Sequence, residues 1–345
     1  MKALVLTAYK QFQVQDLPEP TLGPHDVMVR VKACGICGSD VHGMDGSTGR
    51  RQPPIVMGHE ASGVIDRVGA AVSDHRVGER VTFDSTIYNP NSFFSQRGLI
   101  NLCDDRRVLG VSCDDYRQNG AFAELVAVPD HILYALPDGM TFEQAALVEP
   151  VSIAVHARNL TPLAAGDTAI VLGAGLIGLM MVQVLKLTQV QRIIAIDIDD
   201  AKLAIARQVG ASDTVNSATT DTAAAVKAMT DGRGADVAFE AVGFEATIRS
   251  AIASVRKGGA VTLIGNLARD VSLPLQSVVT RQIRLQGSCA SAGEYPECLD
   301  LIASRRIDVD RFISATAPLA EGAQWFDRLY RREPGLMKVV LQPDR

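Results

Sequence analysis

The sequence predicts a two-domain α/β protein, a mostly β domain followed by a doubly wound parallel sheet with helices on both faces. Three observations carry this prediction. The 345 residues exceed what one hydrophobic core usually organises. Short Val- and Ile-rich runs broken by Gly, Pro and Asp fill the chain up to Pro150. Beyond Pro150, apolar strands alternate with helical patterns, the arrangement that builds a parallel sheet.

In the first part MKALVL, VMVRVKAC, ASGVIDRV and ERVTF read as strands, and Pro18, Pro20, Gly23 and Pro24 forbid a long helix near the start. In the second, TAIVLG precedes LIGLMMVQVLKL, RIIAID precedes DDAKLAIARQVG, ADVAFEAV precedes EATIRSAIASV, and GGAVTLIG follows. PECLDLIASRRID reads as a further helix and LMKVVLQP as a last strand, so the chain is expected to return to its first domain. The expected domains are 1–151 with 288–345, and 152–287.

Composition narrows the function. With 34 Lys+Arg against 39 Asp+Glu, the net charge of -5 offers no basic footprint for a phosphate backbone, so no nucleic-acid partner is expected. Six cysteines are too few for a disulfide scaffold in a chain this long, and only Cys34 and Cys37 are near neighbours, which points to a reducing, cytoplasmic setting. MKALVLTAYKQ lacks the apolar core of a secretory leader. The apolar stretch Thr168 to Leu187 is punctuated by Gly173, Gly175 and Gly178, so it reads as a strand turning into a helix, and no membrane partner is expected.

That turn is a dinucleotide fingerprint of the Rossmann type. Gly173-Ala174-Gly175-Leu176-Ile177-Gly178 follows a strand and opens a helix. The first glycine permits the turn, the second lets a pyrophosphate approach, and the third packs helix on strand, with the N–H groups of the turn and of Leu176 and Ile177 facing the phosphates. Asp197 ends the next strand, where its carboxylate would take the ribose hydroxyls and repel a 2′-phosphate. Ile198, Asp199 and Asp200 follow, and Lys202 is the first cation, so NAD is the expected cofactor.

Cys37, His59 and Glu60 offer a thiolate, an imidazole and a carboxylate, a donor set that Zn²⁺ accepts in tetrahedral geometry. Singly, each has an ordinary structural reading: a small core residue, a hydrogen-bonded histidine, a surface carboxylate. Spacing alone leaves both readings open.

The segments around these residues resemble the zinc-dependent medium-chain alcohol dehydrogenases, whose signature is GHE, two residues and a glycine, here Gly58-His59-Glu60-Ala61-Ser62-Gly63. The CGxCGSDxH segment through His42, the GxFAE stretch (Gly120, Phe122, Ala123, Glu124) and Leu147-Val148-Glu149-Pro150 extend the likeness nearly end to end. The chain is most similar to the polyol (sorbitol-type) and sugar-acid branch, which has a glutamate, here Glu149, in place of a zinc-binding cysteine. The resemblance implies a GroES-like catalytic domain with one catalytic zinc held by Cys37 and His59, Glu60 and Glu149 sharing the remaining duty. It implies that Asp40 holds the His59 ring, and that Ser39 takes the alcohol proton and passes it through the cofactor ribose to His42. Zinc would act as a Lewis acid on the alcohol oxygen while a hydride passes to the nicotinamide.

Two departures from the family are visible. Many relatives hold a structural zinc on four cysteines; here Asn89, Ser92 and Ser95 stand at three of those positions beside Cys103, so no structural zinc is expected and packing around Phe93 and Phe94 is expected to hold the lobe. Sorbitol-type enzymes also place an arginine in the stretch that reads Gln286-Gly287-Ser288-Cys289-Ala290-Ser291 here. Sorbitol itself is therefore a poor expectation, and residues from Asp84 to Phe94, Glu149 and Ser288 to Ser291 are expected to shape the choice. The expected function is NAD-dependent oxidation of a secondary hydroxyl on a polyol, sugar or sugar acid. Butanediol or threonine oxidation is the alternative, and an idle cofactor-binding relative the reading from another class. GGAVTLIG and Leu273-Pro274-Leu275 resemble the pairing region of the family, which implies a homo-oligomer, a tetramer or a dimer.

Overall fold

The structure, a computed structural model, describes residues 1–113 and 116–344. The chain forms two compact units, one of Met1–Glu149 with Ser291–Arg345 and one of Pro150–Ala290.

The first unit is built on a seven-stranded sheet. Its spatial order is Leu133–Ala135, Arg80–Phe83, Glu60–Val68, Asp26–Gly35, Lys338–Gln342 and Ile313–Pro318, with Leu125–Pro129 also pairing with Asp26–Gly35. The last two strands of that order run parallel, and the other pairs are antiparallel. Val27, Val29, Val31, Ile65, Val81 and Phe83 form its aliphatic core. The register unites segments far apart in the chain. Gly35 lies opposite Glu60 on one side and Val340 on the other, so the C-terminal strand is brought beside the GHE segment. Gly63 of that segment sits where a side chain would run into the Arg30 carbonyl of the neighbouring strand, at 2.1 Å. Only glycine fits there without shifting the sheet.

The second unit is a six-stranded parallel sheet in the order Asp213–Asn216, Arg192–Asp197, Thr168–Leu172, Ala235–Glu240, Val255–Leu263, Arg284–Gly287. Helices Leu176–Lys186, Asp200–Val209, Thr222–Ala228 and Glu245–Ser254 connect the first five strands. The central strands carry near-continuous buried runs because both faces are covered. This is the Rossmann arrangement, whose order reverses beside the first strand, Thr168–Leu172, at the carboxyl end of which dinucleotides bind. Among the described residues no helix is long and apolar enough to cross a membrane.

Candidate active site

The glycine turn after Thr168–Leu172 divides its work as the chemistry requires. Gly173 has φ +94°, a conformation costly for other residues. Gly175 has nothing within 4 Å of where a Cβ would be, an open approach for a ligand. At Gly178 a Cβ would fall 1.7 Å from the Gly173 carbonyl oxygen, so the helix can pack this closely only on glycine. Leu176 and Ile177 begin the helix after the Gly175 cap. Asp197 turns back over the turn: one carboxylate oxygen accepts from Ala174 N at 2.6 Å and the other from the N–H groups of Ile198 and Asp199 at 2.8 and 3.0 Å. It therefore ties the turn together as well as facing it. Lys202 lies on the following helix, partly buried.

In the first unit the sulfur of Cys37, a nitrogen of His59 and a carboxylate oxygen of Glu60 lie within 4.8 Å of one another. Glu149 is not part of that cluster, although it feels both His59 and Glu60 electrostatically. Each element has a local cause. Cys37 caps the short helix Gly38–Gly43, its sulfur accepting from Ser39 N at 3.4 Å and from the Ser39 hydroxyl at 3.2 Å. His59 and Glu60 enter the sheet directly after Gly58, whose φ of +96° turns the chain into the strand.

The site is a set of buried charges in need of partners. Nδ1 of His59 and Oδ2 of Asp40, both buried, face each other at 3.5 Å and have no closer hydrogen-bond partner. Burial opposes charge on His59, but Asp40 and Cys37 outweigh it and hold the imidazole pKa well above its ordinary value. Burial likewise opposes ionisation of Asp40, and His59 and Arg51 overcome it, holding the carboxyl well below the usual range. With Nδ1 of His59 turned to Asp40, a ring nitrogen, the Cys37 sulfur and a Glu60 oxygen together form a soft, borderline and hard donor set that fits zinc.

Two buried cations here carried no sequence signal strong enough to single them out. Lys338, 2% exposed, donates to Glu60 Oε2 at 2.5 Å and to the Ile36 carbonyl at 2.9 Å. Gly35 makes the space for this pair: a Cβ there would meet Glu60 Oε2 at 2.3 Å and Lys338 Cδ at 3.4 Å. Arg51, 3% exposed, pairs with Asp40 at 2.8 Å. A lysine opening the otherwise apolar strand Lys338–Gln342 was the one hint available in the sequence. His42 is half-buried on the helix after Cys37, and burial with the nearby Arg332 lowers its pKa.

Desolvation, with Glu60 and Asp84 nearby, pushes Glu149 up to about 8 against the pull of His59 and Lys338. Asp84 is buried, and its carboxyl rises to about 6 even though it accepts from Thr86 N at 2.8 Å and the Ser291 hydroxyl at 2.9 Å. Beside it the ring of Tyr295 is fully buried, stacks on Tyr134 at 5.0 Å and leaves its hydroxyl without a partner. These protonatable oxygens sit close enough to Glu149 to interact with it.

Polar contacts knit the lobe around Cys103. The Cys103 sulfur accepts from Asn89 N at 3.3 Å and is lowered in pKa by Ser92 and Ser95, whose hydroxyls bond each other at 2.8 Å. Phe93 stays 59% exposed, touching Phe94 edge-on and carrying the Arg97 guanidinium, so the phenylalanine pair is not the lobe's core.

Comparison with known proteins identifies the family. Residues 177–304 match the zinc-binding dehydrogenase family and residues 23–138 the alcohol dehydrogenase GroES-like domain. A sorbitol dehydrogenase of Bacillus subtilis (strain 168) is 31% identical, over 100% of this chain and 98% of its own length. An L-idonate 5-dehydrogenase of Vitis vinifera is 33% identical over 90% of this chain and 85% of its own. A chain from Sinorhizobium meliloti 1021, solved bound to NADP, superposes with a TM-score of 0.89 at 31% identity, covering 99% of each chain.

Proposed function

This chain belongs to the zinc-dependent alcohol dehydrogenase family, in its polyol and sugar dehydrogenase branch, and from that premise we propose how its own residues carry the reaction. The observation that bears most weight is the convergence of Cys37, His59 and Glu60 within 4.8 Å. These three would hold the metal, with Glu60 offering the oxygen that Lys338 leaves free. Bound there, zinc would supply a Lewis acid for the substrate oxygen, and a nicotinamide would supply the hydride acceptor. Ser39 would accept the substrate's hydroxyl proton while giving its own to the cofactor ribose, and His42 would end the route toward solvent. Glu149, its carboxyl pushed up to about 8 chiefly by burial, would hold a substrate hydroxyl or a water beside the metal.

NAD is the preferred cofactor in this reading. Asp197 places a carboxylate at the end of its strand, and no cation stands between it and Lys202 to receive a 2′-phosphate. The substrate is a secondary alcohol of a polyol, sugar or sugar acid, and Asp84, Glu149 and Ser291 line up as the groups that would select it. The six free thiols suit a reducing, cytoplasmic compartment. The exposed Leu273, Leu275 and Val279 suit pairing of two copies into a dimer or tetramer.

The test is a panel of polyols, sugars, sugar acids, butanediol and threonine with NAD⁺ and NADP⁺ at alkaline pH. Activity with a polyhydroxylated substrate and NAD⁺ is expected, abolished by chelation and by Cys37→Ser. Turnover indifferent to both treatments sinks the metal reading, and equal use of NADP⁺ sinks the role of Asp197.

A further inference from the structure

Arg51 follows another arginine in a polar loop and reads from sequence as a solvated charge, yet it is almost completely buried. Its Nε and Nη2 donate to Asp40 Oδ1 at 3.1 and 2.8 Å, and Nη2 also donates to the Ser39 hydroxyl oxygen at 3.2 Å. Nη1 donates to the Arg50 carbonyl at 3.2 Å. The site is built to receive it. A Cβ on Gly43 would lie 2.5 Å from Arg51 Cγ, part of the side chain's stem and not its mobile end.

A hydroxyl has one proton and two lone pairs. Ser39 gives its proton to the Cys37 sulfur, a bond its O–H can rotate away from when it passes a proton on, and one lone pair to Arg51, which leaves a single lone pair for an incoming hydroxyl. A carboxylate has two oxygens. Arg51 occupies Oδ1 of Asp40 and leaves Oδ2 facing His59 Nδ1. We propose that Arg51 is a positioning residue for the dehydrogenase reaction, fixing which lone pair of Ser39 meets the substrate and which oxygen of Asp40 meets His59. The inference rests on the reading that Ser39 accepts the substrate's proton. A guanidinium fork can serve two acceptors at once, which a lysine ammonium on a flexible stem does poorly.

The bland alternative is that Arg51 is only the counter-ion of a buried Asp40. Four single variants, R51K, R51M, G43A and S39A, and the S39A/R51K double variant separate the two, each read by the pH profile of kcat/KM and by kcat and KM separately. Zinc affinity of the metal-free chains is measured beside these by chelator competition. R51K keeps a charge for Asp40 and is expected to fold, but to lose about tenfold in kcat with KM within about twofold. R51M raises the midpoint of the alcohol-oxidation profile by about one pH unit, since a cation beside the proton route favours the deprotonated side. It also weakens zinc binding about tenfold or more, through Asp40 and His59. G43A displaces the arginine without deleting it and moves kcat in the same direction. The S39A/R51K double variant is no slower than S39A alone. Wild-type kcat in R51K, or fully additive losses in the double variant, overturn the inference and leave the counter-ion role. Wild-type kinetics in S39A overturn the Ser39 reading itself, and the inference with it.

Discussion

Lys338→Met offers the sharpest probe of how the site is balanced. Lys338 and Glu60 are 2% and 1% exposed and 2.5 Å apart, so the methionine, similar in volume, leaves a carboxylate buried without its cation. Breaking a buried pair from one side costs about 3–5 kcal/mol. At about 2–4 °C per kcal/mol for a folding unit of about 200 residues, the metal-free first unit should melt about 10 °C lower. A zinc ion among Cys37, His59 and Glu60 returns positive charge to the same carboxylate, so saturating metal should close most of that gap. Removing both charges in Glu60→Gln with Lys338→Met should bring the metal-free protein within a few degrees of wild type. Calorimetry on chelated and zinc-saturated samples reads all of these. A loss of equal size with and without zinc, or a double variant as unstable as the single one, refutes the reasoning.

The same geometry sets three further outcomes. Burial raises the Asp84 carboxyl from 3.8 to about 6, so the folded state binds its proton more tightly than the unfolded chain does. That stabilisation is complete below about pH 4 and is lost as pH rises through about 6; at roughly two units it amounts to about 3 kcal/mol, and urea melts of D84N should lack that slope. Gly178→Ala puts a methyl 1.7 Å from the Gly173 carbonyl and should remove measurable NADH binding by fluorescence titration while the first unit keeps its zinc. Elemental analysis should find one tightly held zinc per chain. Converting Asn89, Ser92 and Ser95 to cysteine beside Cys103 should raise the count to two, because Asn89 N donates to the Cys103 sulfur and Ser92 and Ser95 lie near enough to lower its pKa.

The parallel sheet was legible because its signals are local. A strand-glycine-helix junction such as Ile170 to Leu179 states its own conformation, and Gly173 and Gly178 there are required by a positive φ and by a contact five residues away. The donor types Cys37, His59 and Glu60 could also be picked out, since few residues bind metal and two of these are adjacent. Their convergence could not be derived from spacing, because it depends on the register that sets Gly35 against Glu60. The oxygen cluster of Asp84, Ser291 and Tyr295 was partly visible as a region expected to shape substrate choice. The burial that raises Asp84 was not visible, nor was the Ser291 hydroxyl that opposes it from 207 residues away.

By itself the sequence determined the order of strands and helices, the dinucleotide turn and the chemical kinds of ligand available, because these depend on periodicity and on side chains near one another in the chain. Only the tertiary structure decided which charges compensate each other. Lys338 reaches Glu60 across 278 residues, and Arg51 leaves solvent to serve Asp40 and Ser39. A buried charge is tolerated only where a partner of opposite sign is brought to hydrogen-bonding distance, and strand register and close packing do that, not position along the chain.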